Sequence, residues 1–243
     1  MSTLAGQTWW LIGASEGLGH AVAKAMAQDG AELILSARSE DRLREVALET
    51  GGRPLTVDVS DPDSVAQAAE QAGEIDGLIY LAGAYWPLRA QEWDSGKIET
   101  MIDVNLTGAV RVLGHVLPAM IARDRGRIVL TGSLAGFRGL PGSLGYGQSK
   151  AGLMNLAQGL QADLQGTGVA VQLVNPGFIK TRLTDKNDFS MPFLMQPEEA
   201  AGHVVKAIRS GKPATSFPAL FSWLFRAGRN LPTGMWNRIF ARG

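Results

Sequence analysis

The sequence predicts an α/β fold in which a doubly wound parallel sheet is flanked by helices, a single domain closed by a C-terminal helical tail. Three observations lead there. Apolar runs of strand length alternate with helical stretches through most of the chain, a pattern that gives parallel strands joined by crossover helices. A glycine-rich turn, Ile12-Gly-Ala-Ser-Glu-Gly-Leu-Gly19, joins the first apolar run to the first helical stretch. At 243 residues the chain fits one domain of the larger kind, with ample length to build a core.

In chain order, the strands are expected at Trp9–Gly13, Leu33–Ser36, Pro54–Val57, Gly77–Leu81, Arg127–Thr131 and Ala170–Val174. The helices between and after them span Leu18–Gln28, Asp41–Glu49, Pro62–Ala72, Lys97–Ala122, Leu144–Gln165 and Pro197–Arg209. Pro176 to Gln196 is the one long interruption, and loops of that length in compact domains are often lids. No repeat of solenoid period and no Ser/Pro linker divides the chain, so residues 1–212 read as the dinucleotide-binding and catalytic domain and residues 213–243 as a tail packed on that domain or at an interface.

Composition narrows the function classes. With 45% hydrophobic and 19% charged residues the chain is ordinary globular material. It has no cysteine, which removes disulfides and thiolate metal sites. His20, His115 and His203 stand far apart in no ligand spacing, so no metal is assigned. No basic residue precedes Lys24, and the apolar run Trp9–Ile12 leads straight into the glycine turn, so a cleavable export signal is not expected and a cytoplasmic location is. The formal charge is zero, which gives no reason to expect nucleic acid as a partner, but it is segregated: from Ala201 onward there are seven basic residues and no acidic one.

Chemistry concentrates in the second half. Tyr146 and Lys150 stand four apart in a helical segment, hence on one face. An ammonium about 4 Å from a phenol contributes roughly 4 kcal/mol at an effective dielectric of ~20, about three pKa units, which would turn a tyrosine into a proton relay at neutral pH. Upstream, the β-branched run Arg127–Thr131 ends in Thr-Gly-Ser, which sets Ser133 at the C-terminal end of a buried strand, where open parallel sheets bind ligands. Its hydroxyl is a candidate donor to a substrate oxygen, the alternative being a serine that satisfies its own turn.

At the other end, the glycine turn presents backbone N–H groups and a positive helix end to a phosphate pair. The second strand ends Ser36-Ala37-Arg38. An acidic side chain at this point accepts hydrogen bonds from an NAD ribose, whereas Arg38 suits a 2′-phosphate. The alternative is a solvated arginine heading the next helix. Glu16 points the other way, because a carboxylate near a 2′-phosphate repels it. The balance favours NADP(H) over NAD(H).

Together these residues resemble the short-chain dehydrogenase/reductase family, over about residues 7 to 211. The turn Gly13-x-x-x-Gly17-x-Gly19, Asp58-Val59, Ala82-Gly83, Asn105, Ser133, Tyr146, Lys150 and Pro176-Gly-Phe-Ile-Lys-Thr181 follow the family's order and approximate spacing. The resemblance implies a Rossmann-type sheet, with Tyr146 as proton donor or acceptor, Lys150 lowering its pKa and holding the nicotinamide ribose, and Ser133 positioning the substrate oxygen. It implies that Asn105 anchors a water leading to Lys150. Gly13, Ser15, Gly17, Leu18 and Gly19 would cradle the cofactor phosphates, Asp58 and Val59 contact adenine, Ala82 and Gly83 the adenosine side, and Pro176, Gly177, Ile179 and Thr181 the nicotinamide. Two positions depart from the family: Ile12 replaces its threonine, and Leu81 stands in its Asn-Asn-Ala-Gly segment. They read as a coupled swap in which packing replaces a polar contact.

The implied function is NAD(P)(H)-dependent interconversion of a carbonyl and a secondary alcohol, in a homodimer or homotetramer. Trp86, Phe137, Leu140, Phe189, Met191, Phe193 and Met195 are expected to border the pocket, a lining suited to a small apolar compound. A different reading is an NADP-binding regulatory or scaffold protein that uses its tail for contacts. In the tail, a helix from Pro218 would set Ser222, Arg226 and Arg229 on one face and Leu220, Trp223, Leu224 and Ala227 on the other. A second helix after Pro232 would oppose Met235, Trp236, Ile239 and Phe240 to Asn237, Arg238 and Arg242. The preferred reading makes the tail a lid or subunit contact. A membrane-surface anchor and a docking element for another protein are the alternatives.

Overall fold

The computed structural model describes residues 3–240. The strands are β1 (Thr8–Ile12), β2 (Glu32–Ser36), β3 (Arg53–Pro54), β4 (Gly77–Tyr80), β5 (Gly126–Thr131), β6 (Val169–Pro176) and β7 (Ala214–Phe217), and they form one parallel sheet in the order β3-β2-β1-β4-β5-β6-β7. The helices are α1 (Gly17–Gln28), α2 (Glu40–Thr50), α3 (Pro62–Ala72), α4 (Ser95–Ile102), α5 (Gly108–Ala122), α6 (Tyr146–Asp163), α7 (Pro197–Ser210), α8 (Ala219–Gly228) and α9 (Thr233–Phe240). The winding reverses between β1 and β4, and a crevice opens there at the C-terminal strand ends.

Successive side chains of a strand point to opposite faces, so neighbours Trp9 and Trp10 in β1 enter different cores, both fully buried. Trp10 packs with Val65 of α3, Val112 of α5 and Leu153 of α6, while Trp9 packs with Val22 of α1, Leu43 of α2 and Val204 of α7. This double covering is why the central strands read as unbroken apolar runs.

The structure alters four expectations. The sheet has seven strands rather than six, because Ala-Thr-Ser-Phe in β7 is a half-exposed edge pairing with β6 and carries no apolar run to announce it. The third strand is only Arg53–Pro54, although Leu55 and Val57 go on bonding to the carbonyls of Leu35 and Ala37. The single helix expected over Lys97–Ala122 is two, α4 and α5, separated by a π turn at Asp103–Thr107. That turn keeps the chain winding and so leaves the periodicity intact, but its Val104 carbonyl accepts from the Tyr80 hydroxyl at 2.6 Å, a side chain inserted against the ladder. Ser95–Ala122 has the length and mean hydropathy of a membrane-crossing segment, yet it packs on α3 and α6 and carries buried Asn105.

The fourth change concerns the tail. Both expected helices form, but α8 turns Phe221, Ser222, Phe225 and Gly228 inward and leaves Leu220, Trp223, Leu224 and Ala227 exposed beside Arg226 and Arg229. The helix has two apolar stripes, and periodicity does not say which one the body takes. In α9 only Trp236 is buried, with Phe240 half-buried and Met235 and Ile239 exposed; Arg242 lies outside the described residues.

Candidate active site

Backbone geometry builds the phosphate end of the crevice. Gly13 has φ 96°, and a Cβ there would lie 2.5 Å from the Ala82 nitrogen; a Cβ on Gly19 would lie 1.9 Å from the Gly13 carbonyl oxygen. A side chain at Gly13 would push the turn off the backbone that follows β4, and one at Gly19 would push the start of α1 off the turn. Behind the turn, α1 begins with no side-chain cap and no acidic residue in its first turn, so its first N–H groups and positive dipole end are available to an anion. This cradle fits a dinucleotide pyrophosphate.

All the residues assigned above to the cofactor, from Gly13 in the first turn to Thr181 after β6, line one cleft of about 880 Å³. Ser133, Tyr146 and Lys150 line the same cleft, and Asn105 does not. Asn105 sits in the π turn, fully buried, where its side chain accepts from Ala84 N at 2.7 Å and donates to Ala84 O and Ser149 Oγ. It braces the β4 loop against the residue preceding Lys150.

Ser133 Oγ accepts from Ala135 N at 3.1 Å and hydrogen-bonds Tyr146. Lys150 is buried, and its Nζ donates to Thr131 O at 2.8 Å while lying 5.8 Å from the centre of the Tyr146 ring. The ammonium is thus held by a strand-end carbonyl, on the same side of the cleft as the Tyr146 ring. Burial dominates both groups: it raises the Tyr146 phenol above its ordinary value, with the Ser133 bond acting the other way, and brings Lys150 down to about 8. The Thr131 and Ser143 hydroxyl oxygens, both buried in residues that line the cleft, have no partner in the protein. Such atoms mark a place for a polar ligand.

Several functional neighbours were not legible as such. The Tyr85 ring meets the Tyr146 ring edge-on, centroids 4.9 Å apart, and its hydroxyl donates to Asn187 Oδ1 at 2.6 Å. Burial pushes the Tyr85 phenol up to about 12. Glu16, expected to repel a phosphate, pairs at 2.7 Å with both Arg42 and Arg182, so its charge is compensated and Arg42 joins Arg38 in the cleft wall. Ile12 and Leu81 do not form a packed pair. They belong to different sides of the sheet and are joined by a main-chain bond from Leu81 N to Ile12 O at 2.8 Å.

At the substrate end, Trp86, Leu140 and Phe189 line the cleft as expected, but Phe137, Met191, Phe193 and Met195 do not. Met195 is drawn into the core, where the Ile179–Met195 bridge closes the neck of the 176–196 loop, and Phe193 faces outward. Phe178, Phe221, Phe225 and Phe240 take their places.

The short chain dehydrogenase family model matches residues 7–190. The chain belongs to the short-chain dehydrogenase/reductase family. Relatives of this dehydrogenase include an uncharacterized oxidoreductase of Myxococcus xanthus, 34% identical over 251 residues that cover 100% of this chain and 99% of the relative. Sulfoacetaldehyde reductase 2 of Chromohalobacter salexigens is 40% identical over 184 residues, 72% of this chain and 73% of its own. Among solved structures, a short-chain dehydrogenase from Sphingobium yanoikuyae in complex with NADPH superposes with a TM-score of 0.82 at 26% identity, covering 98% of this chain and 96% of that one. As a short-chain dehydrogenase/reductase the chain is an NAD(P)-dependent oxidoreductase; the match to the family model ends before α7, β7 and the two tail helices, while the Myxococcus relative covers the whole chain.

Proposed function

We propose that this enzyme reduces the carbonyl group of a small apolar compound to a secondary alcohol, with NADPH favoured over NADH and Tyr146 as the proton donor. The observation that carries the reading is the half-buried Tyr146 in the cleft wall, with Ser133 acting on its phenol and the buried Lys150 ammonium 5.8 Å from its ring centre. When bound, the nicotinamide supplies hydride to the carbonyl carbon.

Burial keeps Tyr146 protonated at neutral pH, the form a reductase needs to deliver a proton to the developing oxyanion. Ser133 Oγ, oriented by accepting from Ala135 N, offers its hydroxyl to the Tyr146 phenol and to that oxygen. Lys150 gives one hydrogen to Thr131 O and keeps two for a ribose. Asn105 acts behind them through Ser149, in line with a relay toward Lys150. Arg38 and Arg42 supply the cations for a 2′-phosphate. The aromatic wall favours an apolar substrate, and exposed Val110 and Ile121 on α5 offer a surface for a homodimer or homotetramer.

The test is oxidation of NADPH by purified protein against a panel of apolar ketones, repeated with Tyr146→Phe. Wild-type turnover is expected, with the variant slower by ~10²–10⁴ and NADPH affinity nearly unchanged. Wild-type rates in the variant would refute Tyr146 as the donor; tight NADPH binding without turnover across the panel would favour a scaffold.

A further inference from the structure

The outward faces of α8 and α9 serve neither the core nor the cleft. Once Phe221, Phe225 and Trp236 are packed inward, α8 presents Leu220, Trp223 and Leu224, 70%, 67% and 42% exposed. With Ala227 they form one stripe at i, i+3, i+4, i+7 spacing. Met235 and Ile239 of α9 are likewise more than half exposed. The loop after β6 adds Phe189 and Phe193, 49% and 52% exposed. Phe193 holds φ 57°, a left-handed backbone rare for a bulky residue, which keeps its ring 5.5 Å from Phe221. Phe189 connects through Phe178 to the same ring. The loop thereby lies against α8 at the cleft mouth, where Phe189 and Phe221 both line the cleft.

Charge identifies the occupant. Arg226, Arg229 and Arg238 stand exposed on these helices, and no acidic residue follows Glu199 in the chain. A two-fold contact with a second copy would face this basic patch with itself, like charge on like. A bilayer carrying anionic lipid supplies the opposite sign together with an apolar layer. A helix of 10 residues is far too short to cross. We propose that α8 and α9, with Phe189 and Phe193, seat the enzyme on an anionic membrane surface, turning the cleft mouth toward the lipid from which an apolar carbonyl compound enters. The docking rests on exposed residues alone and does not depend on the reaction assigned above.

Full-length protein sedimented with vesicles tests it, using phosphatidylcholine alone and an equimolar mixture with phosphatidylglycerol. Co-sedimentation with the mixed vesicles only, weakening as salt shortens the screening length, is the expected result. Arg226→Gln with Arg229→Gln is expected to lower vesicle affinity about 30-fold, the effect of two charges near the surface. Trp223→Ser with Leu224→Ser is expected to abolish binding, while both double variants keep NADPH affinity and turnover of a water-soluble ketone. The proposal fails if no binding occurs at low salt, if neutral vesicles bind equally, or if both double variants still bind. It fails also if Trp223→Ser with Leu224→Ser converts a larger assembly into a smaller one in sedimentation velocity, since the patch would then be an interface between copies. Vesicle binding without any reductase activity would leave the docking standing and sink only the reaction.

Discussion

The two ends of the cleft are made by different means. At the β1 end the wall is main chain: Gly13 and Gly19 let the turn lie against β4 and leave the start of α1 uncapped. At the tail end it is aromatic side chain, Phe221, Phe225 and Phe240, carried by α8 and α9, which follow the stretch the family model matches. A wall of backbone tolerates almost no change and holds one kind of ligand, a pyrophosphate. A wall of side chains on short helices can be recomposed without touching the sheet. The comparison predicts that the two ends fail separately.

The largest effect expected from the tail comes from Trp236. Its ring lies 4.5 Å from that of Phe240 and 6.0 Å from that of Phe225, Arg138 covers it at 5.1 Å, and its Nε1 donates to Gly139 O at 2.7 Å. Arg138 in turn holds the Gly228 and Leu231 carbonyls at the junction of α8 and α9. Trp236→Ala is expected to lower stability by about 3–5 kcal/mol, seen as a reduced urea midpoint. It should also cut kcat/KM for a ketone more than tenfold while the NADPH Kd stays within twofold. A parallel loss of NADPH affinity would break the comparison.

Much of the dinucleotide end was legible, and for a physical reason. The turn after β1 needs glycine because backbone lies too close for a Cβ, and a doubly covered strand calls for an apolar run, so both leave local marks in the sequence. Ser133, Tyr146 and Lys150 were legible because each sits at a fixed distance from a strand end or helix start. The tail end left no such marks. Two apolar stripes on α8 fit its periodicity equally, and β7 is a polar edge. The Glu16–Arg182 pair joins residues 166 apart, and nothing local foretells it. The π turn at Asn105 escaped because one extra residue in a turn leaves the apolar pattern continuous.

Lys150 offers a smaller effect that sharpens the contrast, since its buried ammonium stands where the two ends meet. Its folded pKa, about 8, lies below its ordinary 10.5. Below pH 8 the lysine is protonated both folded and unfolded, and the penalty of burying the charge, about 3 kcal/mol, is fully present. Between pH 8 and 10.5 the unfolded chain holds a proton that the folded one has released, so stability rises with pH. Above 10.5 the penalty is gone. Lys150→Met removes it at the expense of an unpaired Thr131 carbonyl, about 1–3 kcal/mol. The variant is expected to be inactive yet about 1 kcal/mol more stable at pH 7, an advantage that shrinks as pH passes from 8 to 10.5 in urea titrations. A variant less stable at every pH would place the balance with the hydrogen bond.

A further effect concerns the cofactor's second phosphate, where the dinucleotide end is probed in detail. Arg38 lines the cleft without a carboxylate bonded to it, and its charge joins Arg111 and the Ser60 bonds in overcoming burial to keep Asp58 ionised. Arg42 lies across from it, paired with Glu16. A guanidinium bound to a phosphate contributes about 1.5–3 kcal/mol. Arg38→Asp is therefore expected to weaken NADPH binding about 10–100-fold and to improve NADH, since the new carboxylate accepts from ribose hydroxyls. Arg42→Gln leaves Arg38 in place but frees Glu16 from one of its two partners, so it should weaken NADPH by less and help NADH little. Equal affinities for the two coenzymes in the native protein would overturn the NADPH assignment. Arg42→Gln proving the more damaging of the two would move the phosphate to the α2 side of the turn, where only the Glu16 pair marks the site.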